Sequence, residues 1–270
     1  MTDPATPATT DTTTPHPHLR LERDGAVLTL TLTNAARRNA QTPSLWLALA
    51  EVARGLDPQV RVVVLRGEGQ SFSAGLDRAM LAPGGVEGEP DLVGLAVDGP
   101  DAAARAIAPF QQGLAAWAEV PAVVVAAVQG HAIGAGFQLA LAADLRVVAD
   151  DVQLAMRETS LGLVPDLGGT GPLVAAVGPA RALEICATGR FVGAAEAVAT
   201  GLANVAVPRD QLEAATADLV AALLAAPQAA LRELKPLLRS AATAERATQL
   251  QREREAQGRL LHGLAGLVGR

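Results

Sequence analysis

Apolar and polar residues alternate along residues 19–33, and this period of two predicts a strand with one exposed face. A helix pattern follows in LWLALAEVARGL, where Thr42 suits the N-cap and Pro43 suits the first helical position. The segments RVVVL and PAVVVAAV are continuously apolar, which is typical of strands buried on both faces. Strands that alternate with helices in this way predict an α/β core whose strands return to one sheet.

The same pattern divides the chain into three regions. Residues 1–18 are rich in Thr, Pro and Ala and are predicted to form a disordered tail, since they offer almost no large apolar side chain to bury. Residues 19–208 alternate strands with helices, and residues 209–270 are helical throughout with a break at Pro227. Within the middle region we expect helices at 101–119, 137–143, 172–177, 179–188 and 193–200, strands at 144–149 and 152–155, and a mobile Gly- and Pro-rich loop at 81–100.

Composition narrows the possible function classes. The formal net charge of −6 argues against nucleic acid as a partner, because phosphate binding needs a basic face. The one cysteine, Cys186, excludes an internal disulfide and any multi-cysteine metal site, and no metal is predicted. The apolar run at residues 120–128 is too short to span a membrane, and the start of the chain lacks a signal-peptide pattern. We therefore expect a cytoplasmic protein without nucleic-acid or membrane partners.

Two turns made of small residues carry the first chemical signal. Gly75-Leu76 and Gly134-Ala135-Gly136 each follow a strand, so each can offer a backbone N–H group to a ligand. Two N–H groups aimed at one carbonyl oxygen would stabilise an enolate, and Glu158 could supply the base that forms it. The alternative is that these small residues only allow strand and helix to pack closely.

The segments FSAGLD, GHAIGAGFQLALAADLRV and ETSLGLVPDLGGT closely resemble those of the enoyl-CoA hydratase/isomerase, or crotonase, family. The resemblance extends over about residues 19–235. It implies a crotonase-like ββα spiral core at 19–208 that binds acyl-CoA, and a C-terminal helical trimerisation region at 209–270. It also implies a homotrimer or a dimer of trimers, with no bound cofactor, because coenzyme A arrives as part of the substrate.

The family pattern assigns further roles by position. The N–H groups of Leu76 and Ala135 match the oxyanion hole for the thioester oxygen. Arg38 matches a basic residue near the CoA phosphates. Lys235 matches one that lies against the CoA phosphate, in some members that of a neighbouring subunit, although it could equally lie on a solvated helix face. The remaining predicted substrate contacts lie along the acyl-pantetheine path and beside the base, at Ala74, Leu76, Asp77, Arg78, Ala79 and Gln138.

Gln138 departs from the family's hydratases, which carry glutamates at the positions of both Gln138 and Glu158. A glutamine has no proton to exchange near neutral pH, whereas hydration needs one group to activate water and another to protonate carbon. Moving a double bond needs only one carboxylate, and Glu158 can serve as that proton shuttle. Asp166, eight residues later, matches a second proton carrier of the family's dienoyl-CoA isomerases, although it could also cap the LGGT turn.

Three functions follow from these residues. The leading prediction is an enoyl-CoA isomerase. The second is an enoyl-CoA hydratase with one of its two glutamates replaced by Gln138, with Asp166 as a helper. The third is a non-catalytic acyl-CoA-binding protein.

Overall fold

Nine strands in two sheets are present in the computed structural model, which describes residues 11–82 and 84–268. They are β1 (Asp11–His16), β2 (Leu19–Asp24), β3 (Val27–Leu32), β4 (Val62–Gly67), β5 (Val123–Val128), β6 (His131–Ile133), β7 (Leu145–Ala149), β8 (Gln153–Ala155) and β9 (Val205–Val207). The main sheet has the order β1-β2-β3-β4-β5-β7-β9, antiparallel from β1 to β3 and parallel from β3 to β9. Strands β6 and β8 form a separate parallel pair.

The helices follow the strands much as the sequence pattern predicts. They are α1 (Pro43–Arg54), α2 (Pro100–Glu119), α3 (Ala135–Ala142), α4 (Thr170–Thr188), α5 (Ala194–Ala199), α6 (Leu212–Ala225), α7 (Gln228–Ala241) and α8 (Arg246–Val268). The two helices predicted at 172–177 and 179–188 form one bent element, α4. It bends at Gly178, where φ of 75° and ψ of 162° are not helical.

The central strands β4 and β5 of the main sheet are buried on both faces, which explains why they are continuously apolar. Val63 and Leu65 of β4 belong to the larger apolar core, which also contains side chains of α1, α2 and α3. Their neighbours Val62 and Val64 point to the opposite face and pack in a second cluster with α6. Because successive side chains of a strand alternate between faces, only a fully apolar run satisfies both clusters.

The prediction of a disordered tail at residues 1–18 is wrong for its second half. Residues 11–16 form β1, an exposed edge strand whose Thr12 lies opposite Glu22 of β2. This pairing uses backbone groups and does not need large apolar side chains, and threonine favours the extended conformation. Residues 1–10 lie outside the described part of the chain.

Two shorter elements also differ from the predicted pattern. Strand β9 pairs with β7 at the edge of the sheet, and its three residues are too few to give a period. Helix α3 begins at Ala135, two residues before its predicted start, after Gly134 with a φ of 53°. The early start puts the Ala135 N–H group in the first turn of a helix, where it has no intrahelical acceptor.

The Gly- and Pro-rich loop before α2 is irregular except for a short turn at Gly94–Ala96. Glu89 anchors it, because its carboxylate accepts hydrogen bonds from the backbone N–H of Ser44 (2.9 Å) and from the Ser44 hydroxyl. The carboxylate thereby caps the N-terminus of α1, where negative charge is favourable. The mobility of this loop stays a prediction.

The C-terminal region is helical, as predicted, and Pro227 separates α6 from α7. In the described part of the chain no single helix is long and apolar enough to cross a membrane. Residues 209–225 and 228–241 meet that length and composition only as a pair, and the pair is bent by 106°.

Candidate active site

The two small-residue turns meet at Gly75, which has a φ of 83°. A Cβ atom there would collide with the carbonyl oxygen of Ile133 and lie 3.2 Å from the backbone nitrogen of Ala135. Only glycine combines this left-handed backbone with so close an approach. The contact brings the Leu76 peptide beside the N-terminus of α3, as the sequence predicts.

Both backbone donors at this junction are free. The Gly75 carbonyl oxygen accepts a hydrogen bond from the Gln41 N–H group (2.8 Å), and the Asp77 N–H group donates to the Gln41 carbonyl (2.8 Å). Between them, the Leu76 N–H group has no acceptor among the described residues, and neither has the Ala135 N–H group. Two unpaired N–H groups on adjoining turns can hold one carbonyl oxygen.

Glu158 places a carboxylate beside these donors. It begins the short turn Glu158–Leu161, and its Oε1 atom lies 3.2 Å from the position of a Cβ on Gly134, the residue before Ala135. Oε2 is buried and has no hydrogen-bond partner among the described residues. Burial raises the pKa of Glu158, hydrogen bonds from the backbone and from Gln138 oppose the rise, and the nearby charge of Asp166 adds to it.

Gln138 is 1% exposed and is hydrogen-bonded at both ends of its side-chain amide. Its Oε1 accepts from the N–H groups of Leu167 (2.9 Å) and Gly169 (3.2 Å), and its Nε2 donates to Glu158 Oε1 (2.8 Å). Because two N–H donors hold Oε1, the amide is oriented with its N–H₂ group toward Glu158. Gln138 therefore fixes the position of the Glu158 carboxylate through a hydrogen bond.

Asp166 is half-buried in the loop that precedes α4, and burial raises the pKa of its carboxyl. Its charge acts on Glu158, and its backbone oxygen accepts from Gln111 Nε2 of α2 (2.6 Å). The sequence left open that Asp166 caps the LGGT turn. In the structure Gln138, and not the Asp166 carboxyl, accepts hydrogen bonds from two N–H groups of that turn, those of Leu167 and Gly169.

The predicted substrate-contact residues at 74–79 form one continuous segment, the predicted substrate path, which includes Leu76. Ala74, Leu76 and Ala79 are half-buried and Arg78 is exposed, so their surfaces are open to a ligand. The Asp77 carboxylate is 7% exposed, and it accepts from Arg37 (3.0 Å) and from the Ala79 N–H group (3.1 Å). Asp77 therefore stabilises the turn, and its carboxylate is not available to a substrate.

Arg38 lies between β3 and α1, in a different loop from the one that carries Leu76. It is exposed and has a φ of 52°, and its carbonyl oxygen accepts from the Ala74 N–H group (2.8 Å). This bond attaches the Arg38 loop to the turn that carries Leu76. The guanidinium is thus at the surface beside the path, as a phosphate contact requires.

Lys235 forms an ion pair within its own subunit, and its phosphate contact stays a prediction. Its side chain is 9% exposed, and its ammonium pairs with Asp144 Oδ2 (2.7 Å) and donates to the Ala122 carbonyl (2.8 Å). Ala122 and Asp144 precede β5 and β7, whereas the N–H pair follows the other end of β5, about 20 Å along a six-residue strand. From the sequence, Lys235 could be placed on a helix, but its ion pair with Asp144 could not be predicted.

Gln41 and Ser73 are polar residues that the sequence interpretation missed. Both are fully buried beside the Leu76 turn, and the Gln41 Nε2 atom donates to Ser73 Oγ (2.9 Å). Their only sequence signal is an uncharged polar side chain next to a turn, which is equally typical of an exposed loop.

The chain matches known proteins in both sequence and structure. Residues 22–264 match the family model described as enoyl-CoA hydratase/isomerase. A carnitinyl-CoA dehydratase from Escherichia coli (strain K12) is 36% identical over 225 residues, which are 82% of this chain and 80% of that relative. A candidate enoyl-CoA hydratase from Thermobifida fusca YX is 46% identical, with a TM-score of 0.88 over 93% of this chain and 95% of its own.

A second structure of the Thermobifida fusca YX protein is in complex with acetoacetyl-CoA. It is 46% identical, with a TM-score of 0.87 over 91% of this chain and 95% of its own. These structural matches confirm the predicted crotonase-like α/β fold.

Proposed function

The chain belongs to the enoyl-CoA hydratase/isomerase family, and from this premise we propose that it moves a double bond within an enoyl-CoA thioester. The observation that carries the proposal is a single base, Glu158, which the amide of Gln138 holds beside two free backbone N–H groups. The acetoacetyl-CoA complex of the Thermobifida fusca YX protein supports an acyl-CoA as the ligand class.

The reaction begins with the thioester oxygen between the N–H groups of Leu76 and Ala135. Glu158 Oε2 removes a proton from C2 of a 3-enoyl-CoA, and the electron pair of the broken C–H bond moves onto the thioester oxygen. The two N–H groups stabilise this dienolate, each contributing on the order of 10²–10³-fold in rate. Glu158 then returns the proton to C4, and the double bond lies between C2 and C3.

The presence of Gln138 favours isomerisation over hydration as the proposed reaction. Adding water across a double bond needs a base for the water and an acid for C2. The Gln138 amide donates to Glu158 and accepts from two backbone N–H groups, so it can supply neither. Isomerisation needs only one acid–base group, the carboxyl of Glu158.

A second candidate is hydration or dehydration of the acyl chain. Two observations favour it: the 36% identity to a carnitinyl-CoA dehydratase, and the Asp166 carboxyl, whose charge acts on Glu158. In this reaction Glu158 and Asp166 would be the two proton carriers, and Gln138 would only orient Glu158.

Product analysis tests the proposal directly. The purified protein is incubated separately with a 3-enoyl-CoA and a 2-enoyl-CoA, and the products are identified by mass and NMR. Isomerisation leaves the mass unchanged, whereas hydration adds one water. Conversion of the 3-enoyl substrate to its 2-enoyl isomer supports the proposal. Rapid hydration without migration of the double bond would establish the second candidate instead, and binding without any product would indicate a non-catalytic acyl-CoA-binding protein.

A further inference from the structure

A buried polar network lies behind the turn that carries Leu76. Gln41 is 0% exposed, and its side-chain amide donates to Ser73 Oγ (2.9 Å) and accepts from Trp46 Nε1 of α1 (2.7 Å). Ser73 Oγ in turn donates to the Asn39 carbonyl (2.7 Å) and accepts from the Gly75 N–H group (3.1 Å). Buried polar groups that are bonded in this way hold one geometry rigidly.

The backbone of Gln41, whose side chain belongs to this network, determines which way the Gly75–Leu76 peptide faces. The Gly75 carbonyl oxygen is held by the Gln41 N–H group (2.8 Å). In a planar trans peptide the carbonyl and the following N–H group point in opposite directions. The Leu76 N–H group is therefore directed away from Gln41, on the side where the α3 N-terminus lies.

The peptide after Gly75 can rotate easily, so its orientation needs to be held by other groups. Glycine has no Cβ atom to resist rotation of the adjoining peptide, so the Leu76 N–H group could turn away from a ligand at little steric cost. Three hydrogen bonds oppose the rotation: Gln41 N–H to the Gly75 carbonyl, Asp77 N–H to the Gln41 carbonyl, and Gly75 N–H to Ser73 Oγ.

Ser73 also fixes the second turn. Its N–H group donates to the His131 carbonyl (2.9 Å), and its own carbonyl accepts from the Ile133 N–H group (3.0 Å). A Cβ atom on Gly136 would collide with the Ser73 carbonyl oxygen, so α3 packs directly on this residue. Ser73 therefore contacts both turns and sets the distance between their N–H groups.

We propose that Gln41 and Ser73 are positioning residues that hold the Leu76 N–H group toward the thioester oxygen. The inference rests on the proposed function, because it requires an acyl-CoA thioester between the two turns. Neither side chain touches the substrate. The Leu76 N–H group that they orient binds the thioester oxygen most strongly when negative charge develops on it. Loss of either side chain therefore lowers kcat much more than it changes KM.

Three variants of the full-length protein separate this role from general stability. Gln41→Met keeps the length of the side chain and removes both amide bonds, and Ser73→Ala removes the acceptor of the Gly75 N–H group. Trp46→Phe removes the indole donor to Gln41 together with part of the side-chain volume, and keeps an aromatic ring at the position that contacts Phe110 in the wild type (5.8 Å between centroids). Gln211→Met, at an exposed position outside the network, is the matched control.

The test is the infrared carbonyl stretch of butanoyl-CoA, labelled with ¹³C at the thioester carbon and bound to each protein. Hydrogen bonds to the oxygen lower this frequency. We expect a downshift in the wild type and in Gln211→Met, a smaller downshift in Gln41→Met and Ser73→Ala, and an intermediate value in Trp46→Phe. In the 3-enoyl-CoA assay kcat falls about 10-fold or more in Gln41→Met and Ser73→Ala, and KM stays within about 3-fold.

The outcomes distinguish the two proposals. A full downshift and unchanged kcat in Gln41→Met and Ser73→Ala overturn the positioning role while the isomerase proposal stands. A wild-type downshift that falls in the variants, without isomerase product, supports the positioning role and overturns the proposed reaction. No downshift in the wild type overturns both. If Gln41→Met or Ser73→Ala fails to fold, Trp46→Phe decides the question by the same spectrum.

Discussion

At the scale of single residues, the chemistry depends on how Gln138 and Glu158 share one hydrogen bond. Gln138 presents its N–H₂ group to Glu158 Oε1, whereas Oε2 has no hydrogen-bond partner among the described residues, and we propose that Oε2 takes the proton. Burial of Oε2 without a partner is costly to folding but strengthens a base, since the pKa of Glu158 is raised.

Glu158→Gln keeps the acceptor that Gln138 requires and removes the base. We expect kcat for isomerisation to fall by about 10²–10⁴-fold, while acyl-CoA affinity measured by calorimetry changes little. The matched control is Glu213→Gln, an exposed carboxylate on α6. Full activity in Glu158→Gln would show that another group takes the proton.

The same substitution should change stability with a definite sign. A carboxyl whose pKa is raised on folding stabilises the protein fully below its unfolded pKa, and this contribution is lost as pH rises through the folded pKa. Glu158→Gln has no such loss, so its Tm should exceed that of the wild type at pH 8, and the difference should shrink at pH 4. A Tm difference that does not depend on pH would mean that the carboxyl is not desolvated.

Gln138→Glu replaces the amide with a second carboxyl 2.8 Å from the base. Two carboxyls so close share one proton, which raises the apparent pKa of the pair. We expect the rise of kcat/KM with pH to move to higher pH than in the wild type, and hydration of 2-enoyl-CoA to increase. An unchanged pH profile would show that residue 138 does not act on Glu158.

At the scale of elements, helix α7 has no fully buried side chain and is joined to the sheet through Lys235. Lys235→Met retains the aliphatic volume but leaves Asp144 unpaired, which should destabilise the protein by about 2–4 kcal/mol. Chemical denaturation of Lys235→Met, Asp144→Asn and the double variant would measure the coupling. If the changes in unfolding free energy of the two single variants add up to that of the double variant, the ion pair does not hold α7 to the sheet.

The elements that could be predicted are those with a strong hydrophobic pattern, such as α1, α2 and the continuously apolar β4. Strand β1 could not be, because its exposed threonines carry no apolar pattern and its order comes from pairing with β2. At the site, the sequence predicted both turns and Glu158. It did not predict that Gln138 reaches Glu158 and the backbone of residues 167–169, or that Gln41 holds the Leu76 peptide, because these contacts join distant segments.

At the scale of the whole molecule, we propose that the protein assembles as a homotrimer or as a dimer of trimers. The support is a set of exposed leucines on α7 and α8, which would be unusual on a surface that faces only water. They are Leu234, Leu238, Leu250, Leu261 and Leu264.

Sedimentation equilibrium tests this assembly. We expect a mass three or six times that of the 27.5 kDa chain, and a lighter species when Leu261 and Leu264 are both replaced by glutamate. A single 27.5 kDa species at micromolar concentration would contradict the proposal.

The proposed chemistry depends on one step: Glu158 generates an enolate of the bound thioester, and the N–H groups of Leu76 and Ala135 stabilise its oxygen. Deuterium exchange at C2 of butanoyl-CoA in D₂O measures that step alone, because this saturated substrate can neither isomerise nor take up water. We predict that the wild type exchanges C2 protons and that Glu158→Gln exchanges them at least about 10²-fold more slowly while binding the ligand equally well. Equal exchange rates in the two proteins, or no exchange in the wild type, would contradict the account.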